Sequence, residues 1–180
     1  MENKIKAIDI ANMYIRLAND IQDDSMDNLK INKMLYYAQG WSLVKLGRPM
    51  FEDEIQAWDY GPVIPNVYHV FKCCGKSTIM APQDIFDESR LSTEELELLI
   101  AVYTAYGRYT GWALKEMTHE KGGPWDKVYQ RGKNNKIDNI SIKKYFENLS
   151  LEVFDPDDIR LPEISEIPLS WDNSEDDIYG

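Results

Sequence analysis

The sequence predicts a mainly α-helical protein: a compact multi-helix domain with a small β-hairpin element and an extended acidic C-terminal tail. Three observations carry this. Apolar residues recur at helical spacing in several separate segments, as in Ile10, Met13, Tyr14, Leu17 and Ile21. Helix start and stop signals bracket those segments. The clearest is Ser92-Thr93-Glu94-Glu95, where Ser92 can cap a helix and Glu95 can return the bond. After Leu149 the character changes, and acidic residues alternate with prolines and single apolar side chains. That change divides the 180 residues into a domain over 1–149 and a tail over 150–180.

Asp9 is a candidate N-cap for the first helix, and Gln22 to Asp27 reads as a polar loop. A second helix begins near Asn28. It sets Ile31, Met34, Leu35, Ala38 and Ser42 on one face, and Lys30, Lys33 and Gln39 on others. Gly40 inside it costs about 1 kcal/mol relative to alanine and admits a close neighbour. Gly47-Arg48-Pro49 is a stop. Phe51, Ile55, Ala57 and Trp58 form a short extended segment broken by Tyr60-Gly61-Pro62, with Ser77 to Met80 as the expected partner strand. Pro65 fits the first turn of a third helix, which reaches Cys74. The helix capped by Ser92 runs to Gly107, and Thr110 caps a short one. Gly122-Gly123-Pro124 is a turn before a short helix with Trp125, Val128 and Tyr129. Arg131 to Lys136 reads as a basic, flexible stretch, and Ile140 to Leu149 as the last helix.

The formal charge is −11 and the pI about 4.6. Such a chain repels phosphates and gains nothing from counterion release, so direct nucleic-acid binding is not expected. An acidic surface suits a basic protein partner. Cys73 and Cys74 are adjacent and make no disulfide framework; two free thiols fit a reducing, cytoplasmic setting. The N-terminus does not read as a signal peptide. No apolar run approaches the roughly 18 residues that span a bilayer, so no membrane role is expected.

Chemistry-bearing constellations are thin. His69 and Cys73 are four apart on a helix, but a closed zinc site needs four ligands and no second pair follows. His119, in Thr118-His119-Glu120, could activate a distant nucleophile, yet no Gly-x-Ser-x-Gly elbow exists; it reads as a structural histidine. Gly122-Gly123-Pro124 is no phosphate loop. No catalytic, cofactor-binding or metal-binding residue is expected, and no cofactor.

Several blocks together carry a family resemblance. The segment 28–41, "NLKINKMLYYAQGW", resembles the signature helix of the Panacea (SocA-like) antitoxin domain. The likeness continues in "FEDEIQAWDYGPVIPNVYHVFK" over 51–72 and in "YGRYTGWALKEMTHEKGGPW" over 106–125, where one residue is inserted before Pro124. It ends at "ISIKKYF", 140–146, so the matched blocks cover about residues 5 to 149 in order. The resemblance implies a compact helical domain with a small β element. It also implies an antitoxin that neutralises a toxin encoded by an adjacent gene through direct contact. One branch of the family is similar to a proteolytic adaptor for a ClpXP-type protease, and relatives occur in phages and mobile elements. No catalytic residues are implied.

The residues themselves point the same way, to a protein partner. Trp58, Tyr60, Gly61 and Pro62 make a rigid aromatic turn, and Tyr36, Tyr37 and Trp41 lie on a helix with aromatics on two faces. The tail adds Phe154 and Trp171 with Asp155, Asp157 and Asp158. These residues, Gly61 and Pro62 apart, are the ten of the candidate partner-binding set. The alternative function is that of a phage or mobile-element inhibitor whose acidic surface mimics nucleic acid and blocks a nucleic-acid-binding enzyme.

Overall fold

The structure, a computed structural model, describes residues 4–149. Helices α1 (Ala7–Asp20) and α2 (Asn28–Lys45) lead into a hairpin of β1 (Gln56–Trp58) and β2 (Gly61–Val63). Helix α3 (Pro65–Phe71) follows, then a long connection carrying two single 3-10 turns. The rest is α4 (Thr93–Tyr106), α5 (Gly111–Thr118), α6 (Pro124–Val128) and α7 (Asn139–Leu149).

The sequence signals hold at most boundaries. Asp27 caps α2 by accepting from the Lys30 amide at 2.7 Å. Ser92 and Glu95 form the reciprocal capping box of α4. Thr110 caps α5. Asp9 does not cap α1. The helix starts two residues earlier, and from the first turn the Asp9 carboxylate accepts from the Lys6 amide at 2.9 Å.

Helix α2 is the axis of the fold. Every residue from Asn28 to Leu43 except Leu29 is buried, because α1, α3, α4, α5, α7 and β2 all pack around it. The sequence reading put Lys30, Lys33 and Gln39 on faces other than the apolar one; in the structure those faces are enclosed too. All three are buried, and each satisfies a backbone group of a different surrounding segment. Lys30 donates to the Gly107 carbonyl where α4 ends, and lies 3.2 Å from the Asp23 carboxylate. Lys33 donates to Pro62 O in the hairpin at 3.0 Å. Gln39 donates to Phe51 O at 3.1 Å and accepts from the Met50 amide at 2.9 Å. Asn32 accepts from the Ile64 amide at 2.9 Å, where β2 passes into α3. A buried carbonyl or amide left without a partner costs about 1–3 kcal/mol, so these side chains fix where each segment crosses the axis.

Aromatic side chains close the other side. Tyr37 stacks on Tyr106 at 3.9 Å, the indole of Trp41 donates to the Tyr106 hydroxyl at 3.0 Å, and Phe146 of α7 meets Tyr36, Tyr37 and Trp41 edge-on. Gly40 makes this approach possible. A Cβ there would lie 2.4 Å from the Phe146 ring.

The hairpin differs from expectation. The partner of β1 is Gly61–Val63, in the register Gln56↔Val63, Ala57↔Pro62, Trp58↔Gly61, and not Ser77 to Met80. Gly61, at φ +97, opens the returning strand where the sequence reading placed a break. Ser77 to Met80 instead straps over α1 and the α1–α2 loop: the Ile79 amide donates to Met26 O and Asn19 to Met80 O. The basic stretch ends in a tie to the free edge of β1, through Ala57 N to Asn135 O and Ile137 N to Ile55 O, both 2.8 Å.

Candidate protein-binding surface

The hairpin turn is where distant parts of the sequence converge. Of its two turn residues, Tyr60 meets Trp112 at the start of α5 and Asp59 meets Tyr129 just after α6. The Trp58 carbonyl accepts from the Trp125 indole at 2.8 Å, and the Tyr129 hydroxyl donates to the Asp59 carboxylate at 2.9 Å. Beneath the turn, a Cβ on Gly61 would lie 2.7 Å from Thr118 Oγ1 and 2.9 Å from Lys33 Cε. Glycine is therefore required twice, by its positive φ and by the close packing.

Half-buried aromatic rings surround the turn. Trp58 packs edge-on against Tyr68 at 4.8 Å, and Tyr60 against Trp112 at 5.6 Å. The ammonium of Lys115 lies 5.5 Å from the Trp112 ring centroid, within cation–π range. His119, Trp125 and Tyr129 form a stack with centroids 3.7 and 4.4 Å apart. Trp58, Tyr60, Tyr68, Trp112 and Tyr129 are each partly exposed. Rings held this way lose little side-chain freedom on binding, which is how Tyr and Trp come to dominate interface energetics.

Two bases sit under this surface. Burial pushes the Lys33 ammonium down to about 7, only partly offset by Asp27. Burial, then the positive charges of Lys115 and Lys33, push His119 down to about 4, so it is neutral near pH 7. Its Nε2 is buried without a hydrogen-bond partner among the described residues. The ring stacks on Trp125, and among the described residues no nucleophile is hydrogen-bonded to its Nε2. His69 lies against Trp58 and Tyr68. Among the described residues no group of three or more His, Cys, Asp or Glu side chains is placed to hold a metal ion.

The candidate binding residues separate cleanly. Tyr36, Tyr37 and Trp41 are buried to within 4% of complete, so they are core side chains and not exposed anchors; the central position of α2 is the reason. Trp58 and Tyr60 are on the surface and together. Phe154, Asp155, Asp157, Asp158 and Trp171 lie outside the described residues. Sequence reasoning missed Tyr68, Trp112 and Tyr129. All three fall close to motifs it had singled out, but nothing in their spacing brings them to the turn.

The Antitoxin SocA-like, Panacea domain model matches residues 31–126, more than half of the chain. Those residues include most of α2, the hairpin, α5 and most of the aromatic surface. Antitoxin SocA of Caulobacter vibrioides (strain NA1000 / CB15N) is 31% identical over 128 residues, covering 66% of this chain and 68% of that protein. No solved structure matches the chain significantly. The family match over more than half of the chain, with the curated relative beside it, leads to one conclusion: this chain belongs to the SocA-like Panacea antitoxin family.

Proposed function

We propose that this protein is an antitoxin that neutralises a cognate toxin by direct, stoichiometric binding, without catalysis, in the cytoplasm. We propose further that the toxin is encoded by the adjacent gene. The observation that carries the reading is the aromatic surface at the hairpin turn: Trp58 and Tyr60 of the hairpin stand with Tyr68, Trp112 and Tyr129 around a turn tied down by Lys33 and Trp125. A pre-organised aromatic patch of this kind favours tight protein contact because few side chains must be ordered on binding. Family membership supports an antitoxin role for it. No helix among the described residues is long and apolar enough to cross a membrane.

Charge supports a second reading. Nine of the eleven net negative charges lie in residues 150–180. The domain is thus close to neutral, and electrostatic attraction to a basic target would come from the tail. An inhibitor that competes with nucleic acid for an enzyme would rely on that tail and weaken with salt.

Co-expression with the product of the adjacent gene tests both. Growth rescue with a co-purifying complex is the expected result. A lethal neighbour that is neither rescued nor bound would reject the antitoxin reading for that pair. Rescue that disappears in a host lacking a ClpXP-type protease would assign disposal to delivery, and rescue that persists would assign it to occlusion. A version stopped after Leu149 separates recognition by the turn from recognition by the tail.

A further inference from the structure

A second surface shares no residue with the aromatic turn. At the end of α3, Val70, Phe71, Cys73, Cys74, Ile79 and Met80 line most of a groove of about 500 Å³. Among the described residues that line it none is charged, in a chain of which 28% is charged. Met80 on its wall is 79% exposed, and Cys73 is exposed too. Lys72 and Lys76 are exposed and adjoin lining residues on the α3 side; Asp84 adjoins the opposite end. An apolar floor with lysines on one rim suits an apolar segment punctuated by acids.

This chain carries such a segment. After Leu149 there are 31 residues, and within them Leu161, Ile164, Ile167 and Leu169 alternate with Glu163 and Glu166. Pro162 and Pro168 remove two backbone donors and restrict the chain, which lowers the ordering cost of docking through side chains. The twelve residues from Leu149 to Leu161 span up to roughly 40 Å at about 3.3 Å each, about the width of a domain of this length.

We propose that the groove beside Cys73 and Cys74 is the seat of this chain's own segment 161–169, which covers it in the free protein. In the seated state Leu161, Ile164, Ile167 and Leu169 pack on Val70, Cys73, Cys74 and Met80, and Glu163 and Glu166 face Lys72 and Lys76. The seat shares no lining residue with the aromatic surface, so the proposal stands or falls independently of the antitoxin reading.

The two native thiols report on it directly, because alkylation rate follows access to the sulfur. The full chain and its full-length I164D/I167D variant are treated with iodoacetamide, and modification of Cys73 and Cys74 is followed by mass spectrometry. The expected result is alkylation roughly tenfold faster in the variant, the factor corresponding to about 1.4 kcal/mol of docking. M80D, at an exposed wall position, is expected to speed alkylation likewise. Equal rates in the wild type and the tail variant overturn the proposal. A fast tail variant with an unaffected M80D places the segment elsewhere and also overturns it. Protection that grows with protein concentration assigns the groove to a second copy, and overturns it as well.

Discussion

Lys33 Nζ donates to the carbonyl oxygen of Pro62 at 3.0 Å, from a side chain with no exposure to water. One buried amine thus ties the central helix to the strand that leaves the aromatic turn. The tie is also a titrating group. Lys33 is lowered from 10.5 to about 7 by burial, so the unfolded chain binds more protons than the folded one between those values. Stability therefore rises as pH increases from about 7 toward 10.5. Thermal melting should show a higher Tm at pH 9 than at pH 7, and Lys33→Met should flatten that slope. An unchanged slope in the variant would show that other groups set it.

His119 acts in a lower window. Its value falls from 6.5 to about 4, with burial the largest cause and Lys115 and Lys33 next. A depressed base contributes stability that is present above 6.5 and lost as pH falls through 4. Replacing His119 with Phe should preserve the stack on Trp125 and reduce the loss of stability between pH 6.5 and 4, read by urea denaturation at each pH. A wild-type acid profile in His119→Phe would contradict this.

Gly40→Ala should destabilise the fold even though alanine is the better helix former. The gain in propensity is about 1 kcal/mol. The added Cβ, 2.4 Å from the Phe146 ring, forces α7 away from α2, and such overpacking costs about 1–3 kcal/mol. Chemical denaturation should show a lower midpoint. Combining Gly40→Ala with Phe146→Leu should cost less than the sum of the two single changes, since both act on one contact.

Surface and core aromatics should behave oppositely. Tyr60→Ala with Trp112→Ala removes a partly exposed pair and should leave Tm within a few degrees of wild type. On the proposed function it should weaken toxin capture by roughly thirtyfold, the scale of a hot-spot loss of about 2 kcal/mol. Tyr37→Ala removes a buried ring stacked on Tyr106 and should cost about 3–5 kcal/mol of stability. Capture by pull-down and melting measured together distinguish the two. Wild-type capture by the Tyr60/Trp112 variant would move the interface elsewhere.

The capping box offers a local control. Ser92→Ala removes the acceptor for the Glu95 amide and should cost about 1 kcal/mol, measured by urea denaturation, with toxin capture unchanged.

Much of this was legible in the chain itself. Ser92 and Glu95, Thr110, Pro65 and Gly107 mark helix ends through bonds made within a few residues, and local signals of that kind survive in any tertiary setting. Gly40 announced a close approach because glycine inside a helix is otherwise a cost. Trp58, Tyr60, Gly61 and Pro62 announced a stiff aromatic turn, and the matched blocks announced the family.

The tertiary structure decided the rest, and α2 shows why. Periodicity separates one apolar stripe from a polar remainder and so presumes that a helix has a wet side. A helix surrounded by five others has none. Lys30, Lys33 and Gln39 are buried because backbone groups at Gly107, Pro62 and Phe51, none of them near in sequence, need partners there. The same enclosure turned Tyr36, Tyr37 and Trp41 into core, and long-range packing brought Trp112, Tyr129 and Tyr68 to the turn. Sequence by itself determined where helices begin, which family the chain resembles and which turn is rigid. Which side chains meet water, and so which can meet a partner, depended on contacts between residues far apart in the chain.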